Sequence, residues 1–227
     1  MRGPSPIDVI LPPSCAACGL PGGAACAECL ALLRPLCPPH CEGCGMPVPV
    51  PVERCPACRG PLAGARQAVA YDEVARGLVA GLKDGRRRGL AEVLAERMAA
   101  CLPPPPPGAL LVPVPLGPRR MRERGFNQSL LLARALSRRW GRDVAEALVR
   151  VREGAGQRGS GAAARERQVA GAFAARGDAA PETAWLVDDV HTTGATLAAC
   201  ARALRAGGST GVGAACFARA LAGRGGP

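Results

Sequence analysis

Aromatic side chains are scarce: the 227-residue chain has three Phe, two Trp and one Tyr. Binding of single-stranded nucleic acid by base stacking needs a platform of such rings, so any nucleic-acid contact is expected to rest on charge instead. Lysine is scarcer still, with Lys83 alone among 29 basic residues. Long apolar runs are missing too, and none reaches the roughly 18–20 residues that cross a bilayer. The N-terminal stretch has only Val9, Ile10 and Leu11 in succession, too few for the apolar core of a secretory signal. A soluble cytoplasmic protein is the expectation.

Basic charge and cysteine are present in excess. The formal net charge is +11, which suggests a polyanionic partner such as pyrophosphate or nucleic acid. Arginine in place of lysine, alongside heavy use of Ala, Gly and Pro, looks like a compositional bias. The excess of charge is therefore more informative than the choice of residue. Of twelve cysteines, eight form four CxxC pairs: Cys15–Cys18, Cys26–Cys29, Cys41–Cys44 and Cys55–Cys58. A reducing compartment and this spacing favour metal over disulfides. Two-residue thiolate spacing suits tetrahedral Zn²⁺, and a segment so poor in aliphatic residues needs a staple. The simplest arrangement is two structural zinc sites, the first two pairs and then the last two. An interleaved arrangement stays open, as do an iron–sulfur cluster and redox dithiols. Cys37 and His40 read as ordinary loop residues, and Cys101, Cys200 and Cys216 as small core residues.

The chain divides into a short arm, a cysteine-rich module over 11–61 and a larger α/β domain over 65–227. In the latter, RQAVAYD reads as a strand, EVARGLVAGLKDG and GLAEVLAERMAACL as helices, and Pro103 to Pro107 as a stiff stop. ALLVPVPL is a buried strand running into a basic loop that carries Arg119, Arg120, Arg122 and Arg124. A helix with Leu132, Leu136 and Trp140 follows, VAEALVRV reads as an edge strand, and the polar, glycine-rich stretch 152–168 as a mobile loop. Alternating strands and helices predict a parallel sheet flanked by helices, with ligands at the C-terminal strand ends.

Trp185 to Leu197, WLVDDVHTTGATL, concentrates the chemistry. Apolar residues lead into Asp188 and Asp189 at a strand end, and Thr192, Thr193, Gly194, Ala195 and Thr196 open the next helix. Free N–H groups at such a helix start cradle phosphate, and the threonine hydroxyls add donors. Two adjacent carboxylates can accept from a sugar diol or hold Mg²⁺ through water. A sugar phosphate fits both halves, whereas a solvated strand end and an ordinary capped turn would not require this order of residues. His191 sits between them with no obvious partner, and no catalytic role is expected of it.

This stretch resembles the PRPP-binding motif of type I phosphoribosyltransferases. With the cysteine pairs, Tyr71, Leu82-Lys83, VPVPL, RGFNQ and VDDVHTTGATL in order, nearly the whole chain resembles the ComF family. These are competence-associated proteins with a double zinc-ribbon-like N-terminus and a phosphoribosyltransferase-like domain. The resemblance implies that Asp188 and Asp189 meet the ribose hydroxyls of Mg²⁺·PRPP and that Thr192 to Thr196 hold its 5-phosphate. It also implies that Arg119, Arg120 and Arg124 approach the pyrophosphate, and that Gln157 and Arg165 belong to the covering loop. The family's usual aromatic after Leu-Lys is Asp84 here. Phosphoribosyl transfer to an unidentified acceptor is the implied activity. The alternative is a non-enzymatic protein on the same fold that handles single-stranded DNA or meets competence and recombination proteins.

Overall fold

The computed structural model describes residues 14–221 apart from 22, 57, 59, 153–168, 170, 178 and 179. After the cysteine-rich segment, which among the described residues holds only the short helix α1 (Ala27–Leu32), come β1 (Gly64–Ala70), α2 (Glu73–Lys83) and α3 (Leu90–Cys101). Then follow β2 (Leu110–Pro113), α4 (Pro118–Arg124), α5 (Gln128–Trp140), β3 (Leu148–Arg150) and β4 (Phe173–Ala175). The chain closes with β5 (Thr183–His191), α6 (Ala195–Ala206) and β6 (Gly211–Arg219). Strands β1, β6, β5 and β2 form one sheet in that order, and every neighbouring pair is parallel. The expected α/β architecture with a parallel sheet is therefore observed.

A sheet covered on both faces needs strands that are apolar throughout, and β6 runs Val212, Ala214, Ala215, Cys216, Phe217 and Ala218 without an exposed position. On one face, Leu78 and Leu82 of α2, Leu90, Leu94 and Met98 of α3, and Leu132, Leu136 and Trp140 of α5 pack with Val187 and Phe217. On the other, Leu197, Cys200 and Leu204 of α6 pack with Leu186, Val212 and Cys216. Each buried leucine contributes about 1.5–3 kcal/mol relative to exposure. Cys200 and Cys216 are core residues, as expected, while Cys101 is only half-buried.

Two segments differ from the sequence reading, which also names neither α1 nor β4. The segment VAEALVRV does not extend the main sheet. It touches the β2 edge through Leu111, whose N–H donates to Asp143 O and whose C=O accepts from Ala145 N. The next outward position is Pro113, which has no N–H, so the ladder stops there. β3 instead pairs antiparallel with β4 as a separate two-stranded sheet. The basic loop, in turn, is a helix. Pro118 stands in its first turn and Gly125, at φ 75°, closes it with an N–H to Met121 O.

Candidate functional site

The eight CxxC thiols gather into two groups, Cys15/Cys18/Cys26/Cys29 and Cys41/Cys44/Cys55/Cys58, with sulfurs within 4.8 Å of one another in each. Four sulfurs around one Zn²⁺ at about 2.3 Å stand about 3.8 Å apart. The pairs Cys18–Cys26 at 3.8 Å, Cys41–Cys58 at 3.4 Å and Cys44–Cys55 at 3.5 Å match that spacing. The sequential pairing is the one adopted, not the interleaved one. Both knuckles share a turn, with Gly19 N donating to Cys15 O and Gly45 N to Cys41 O, each glycine at positive φ. Burial opposes ionisation of Cys15 and Cys41, yet N–H groups from Cys18 and Cys26, and from Cys44 and Cys55 with the Cys58 thiol, bring each down to about 6. Such thiols are ready ligands for a structural ion. Cys37 and His40 belong to neither group.

The C-terminal end of β5 lies under a cavity of about 280 Å³. Asp188 and Asp189 both line it, but their surroundings differ. Asp189 is 3% exposed and both its oxygens are occupied: Oδ1 by Lys83 Nζ at 2.5 Å and Oδ2 by Gln128 Nε2 at 2.9 Å. Asp188 accepts at Oδ1 from Ser129 Oγ at 2.9 Å and from the Asp189 N–H at 2.9 Å. Its Oδ2 has no protein partner among the described residues, which leaves Asp188 as the acid open to the cavity. Burial first, and the charge of Asp189 second, push the Asp188 carboxyl up to about 7 against the pull of Lys83, the Asp189 N–H and Ser129.

Gly194 caps α6 at φ 78°, a conformation costly for any other residue. Thr192 and Thr196 line the cavity, whereas Thr193 Oγ1 turns back to accept from Ala195 N at 3.4 Å and Ala195 is buried. The positive end of the helix therefore faces the same space as Asp188. The arginines separate. Arg120 lines the cavity. Arg119 is exposed and pairs with Glu123 at 3.5 Å. Arg124 holds Gln128 Oε1 at 3.1 Å and Asp84 at 3.3 Å, so it supports the residue that donates to Asp189 rather than reaching the cavity itself. Gln157 and Arg165 lie outside the described residues.

Sequence reasoning missed several members of this site. Gln128 and Ser129 reach the acids because Asn127 caps α5 by accepting from Ser129 N at 3.0 Å, and the NQS run was legible as such a cap. Arg150 lines the cavity with its guanidinium 5.3 Å from the Phe173 ring centre. Lys83, matched only as part of a motif, reaches the cavity from the last turn of α2. His191 is buried and pushed down to about 3 by burial and by Arg219, so it stays neutral. Arg219, ending the apolar strand β6, was the one polar residue there that could have been questioned.

Fold and site together define a parallel α/β protein with two four-cysteine clusters that fit zinc ribbons and an acidic strand end facing a helix N-terminus. No protein-family model matches the chain. It is 39% identical over 115 residues to the DNA utilization protein YhgH of Escherichia coli strain K12, covering 49% of each chain. It is 38% identical over 133 residues to the DNA utilization protein YhgH of Salmonella typhi, covering 58% of this chain and 57% of the relative. The chain thus spans about half the length of the curated relatives it matches. Among the described residues, no helix is long and apolar enough to cross a membrane.

Proposed function

We propose that this protein takes part in DNA uptake or use and binds Mg²⁺·PRPP at the β5 end, transferring the phosphoribosyl group to an acceptor nitrogen. The observation that carries the reading is Asp188, with one oxygen fixed and the other open to a cavity that Thr192, Thr196, Lys83, Arg120 and Arg150 also line. Asp188 would accept from the ribose hydroxyls, and Thr192 and Thr196 with the α6 N-terminus would hold the 5-phosphate. Lys83, Arg120 and Arg150 would take the pyrophosphate charge. Its growth as the C1–O bond breaks is where fixed cations lower the barrier. Mg²⁺, held through water by Asp188, would neutralise pyrophosphate. Gln157 and Arg165 would belong to the segment covering the leaving group.

Calorimetric titration with PRPP and Mg²⁺ tests this. Binding is expected, and Asp188→Ala should weaken it at least tenfold, about 1.4 kcal/mol. Absence of heat with the intact protein, or an Asp188→Ala variant that binds equally well, would sink the proposal. Pyrophosphate release across a panel of bases, amines and water then identifies the acceptor.

A second reading has support of its own. The relatives carry the name DNA utilization protein, and the net charge is +11, so the same fold could serve as a non-enzymatic single-stranded-DNA or adaptor protein. Binding to an oligonucleotide should then weaken with salt, by about 0.7 in log K per phosphate neutralised per log unit of salt. Affinity that ignores salt would count against it.

A further inference from the structure

Arg219 is 2% exposed at the end of β6, and among the described residues no carboxylate pairs with it. A buried guanidinium without a counter-charge is costly, so something else must supply the negative charge. Its fork points at the second cysteine cluster: Nη1 donates to Cys44 O at 2.6 Å and Nη2 lies 3.9 Å from Cys44 Sγ. Four thiolates around one divalent ion make a net dianion, which is the compensating charge this arginine lacks.

The same guanidinium continues toward the phosphate-type loop. Nη1 lies 3.1 Å from His191 Nδ1, and Gln67 Nε2 lies 2.9 Å from the same nitrogen while also donating to Cys44 O at 3.2 Å. The same Nη1 also lies 3.4 Å from the other ring nitrogen, His191 Nε2, so the guanidinium faces both nitrogens of the imidazole. Nε2 sits under Gly194, where a Cβ would come within 2.8 Å of it. At the other end Gly45 packs on Gln67, where a Cβ would come within 2.4 Å of Oε1. The buried path from knuckle to loop is therefore continuous: Cys44, Gln67 and Arg219, His191, Gly194.

We infer that Arg219 is the outer counter-cation of the second zinc–thiolate cluster and that, through His191, it props the Thr192–Thr196 loop on that cluster. Arg219 and His191 are positioning residues. Zinc at this cluster then acts beyond stabilising its own ribbon, because it sets the order of the loop that follows the C-terminal end of β5. The inference rests on the zinc reading of the two four-cysteine groups and is independent of what the loop binds.

Zinc content, zinc release to a chromogenic chelator and amide hydrogen exchange over residues 192–196 test it in the full chain. The intact protein should hold two zinc ions. In Arg219→Met one of the two should leave at least tenfold faster, as outer-partner substitutions commonly weaken metal sites by 10–100-fold, and Arg219→Lys should restore part of the difference. Loop amides should exchange faster in Arg219→Met. His191→Asn should speed loop exchange while leaving both release rates alone, and it serves if Arg219→Met fails to fold. Fewer than two zinc ions would overturn the metal reading. Two zinc ions with unchanged release in a folded Arg219→Met, or unchanged loop exchange in His191→Asn, would overturn the role assigned to this network while leaving zinc in place.

Discussion

Asp188 and Asp189 are adjacent and chemically identical, yet their neighbours give them different work. Successive residues of a strand face opposite sides, and at this strand end Lys83 and Gln128 saturate Asp189 while Asp188 keeps one oxygen open. Asp188 keeps its proton in the folded state up to about pH 7, whereas in the unfolded chain it loses it near 3.8. Stability from this group is thus fully present below about 4 and is lost as pH rises through about 7. Without added Mg²⁺, the urea midpoint of the intact zinc-loaded protein should fall more between pH 5 and 8 than that of Asp188→Asn. Parallel pH profiles for the two would refute the assignment.

At the scale of elements, the first knuckle rests on two glycines one turn apart on α2. A Cβ at Gly77 would come within 2.8 Å of Ala17 Cα, and one at Gly81 within 2.5 Å of Ala16 Cβ. Glycine inside a helix costs about 1 kcal/mol relative to alanine, and here it is retained for close approach. Gly81→Ala should therefore destabilise despite better helix propensity, by on the order of 1–3 kcal/mol. It should also speed zinc loss from the first cluster alone. Since α2 ends on Lys83, the Asp189 ion pair should loosen as well. A variant more stable than the parent would show that the knuckle moves aside without cost.

For the whole molecule, the cysteine-rich segment has almost no aliphatic core of its own. The buried cluster around the first site consists of Cys15, Cys26 and Cys29, with Ala17 and Val74 against it. A structural zinc contributes about 10–16 kcal/mol to such folds, so strong chelation under reducing conditions should unfold residues 15–60 first. The thermal midpoint should drop by on the order of 10 °C or more, and proteolysis should cut within that segment before the sheet. A chelated protein that resists protease there would refute a metal-held ribbon.

Periodicity was enough to read the longer strands and helices, because the apolar pattern repeats within each, but not the short α1, α4 and β4. CxxC spacing was enough to identify metal-type ligands, and the acids, glycine and threonines of the β5–α6 turn were legible because they are contiguous in the chain. Which cysteines share a cluster is settled by how the two knuckles fold back. The roles of Lys83, Gln128, Ser129 and Arg150 are contributed from elements distant in sequence. Pro113 ends the outer ladder and sends β3 away from the sheet, a consequence visible only once Val144 is known to lie beside Leu111. The same limit hid Arg219 and His191. Local sequence states which groups are available, but burial and long-range partners decide what each group does, and those exist only in the folded chain.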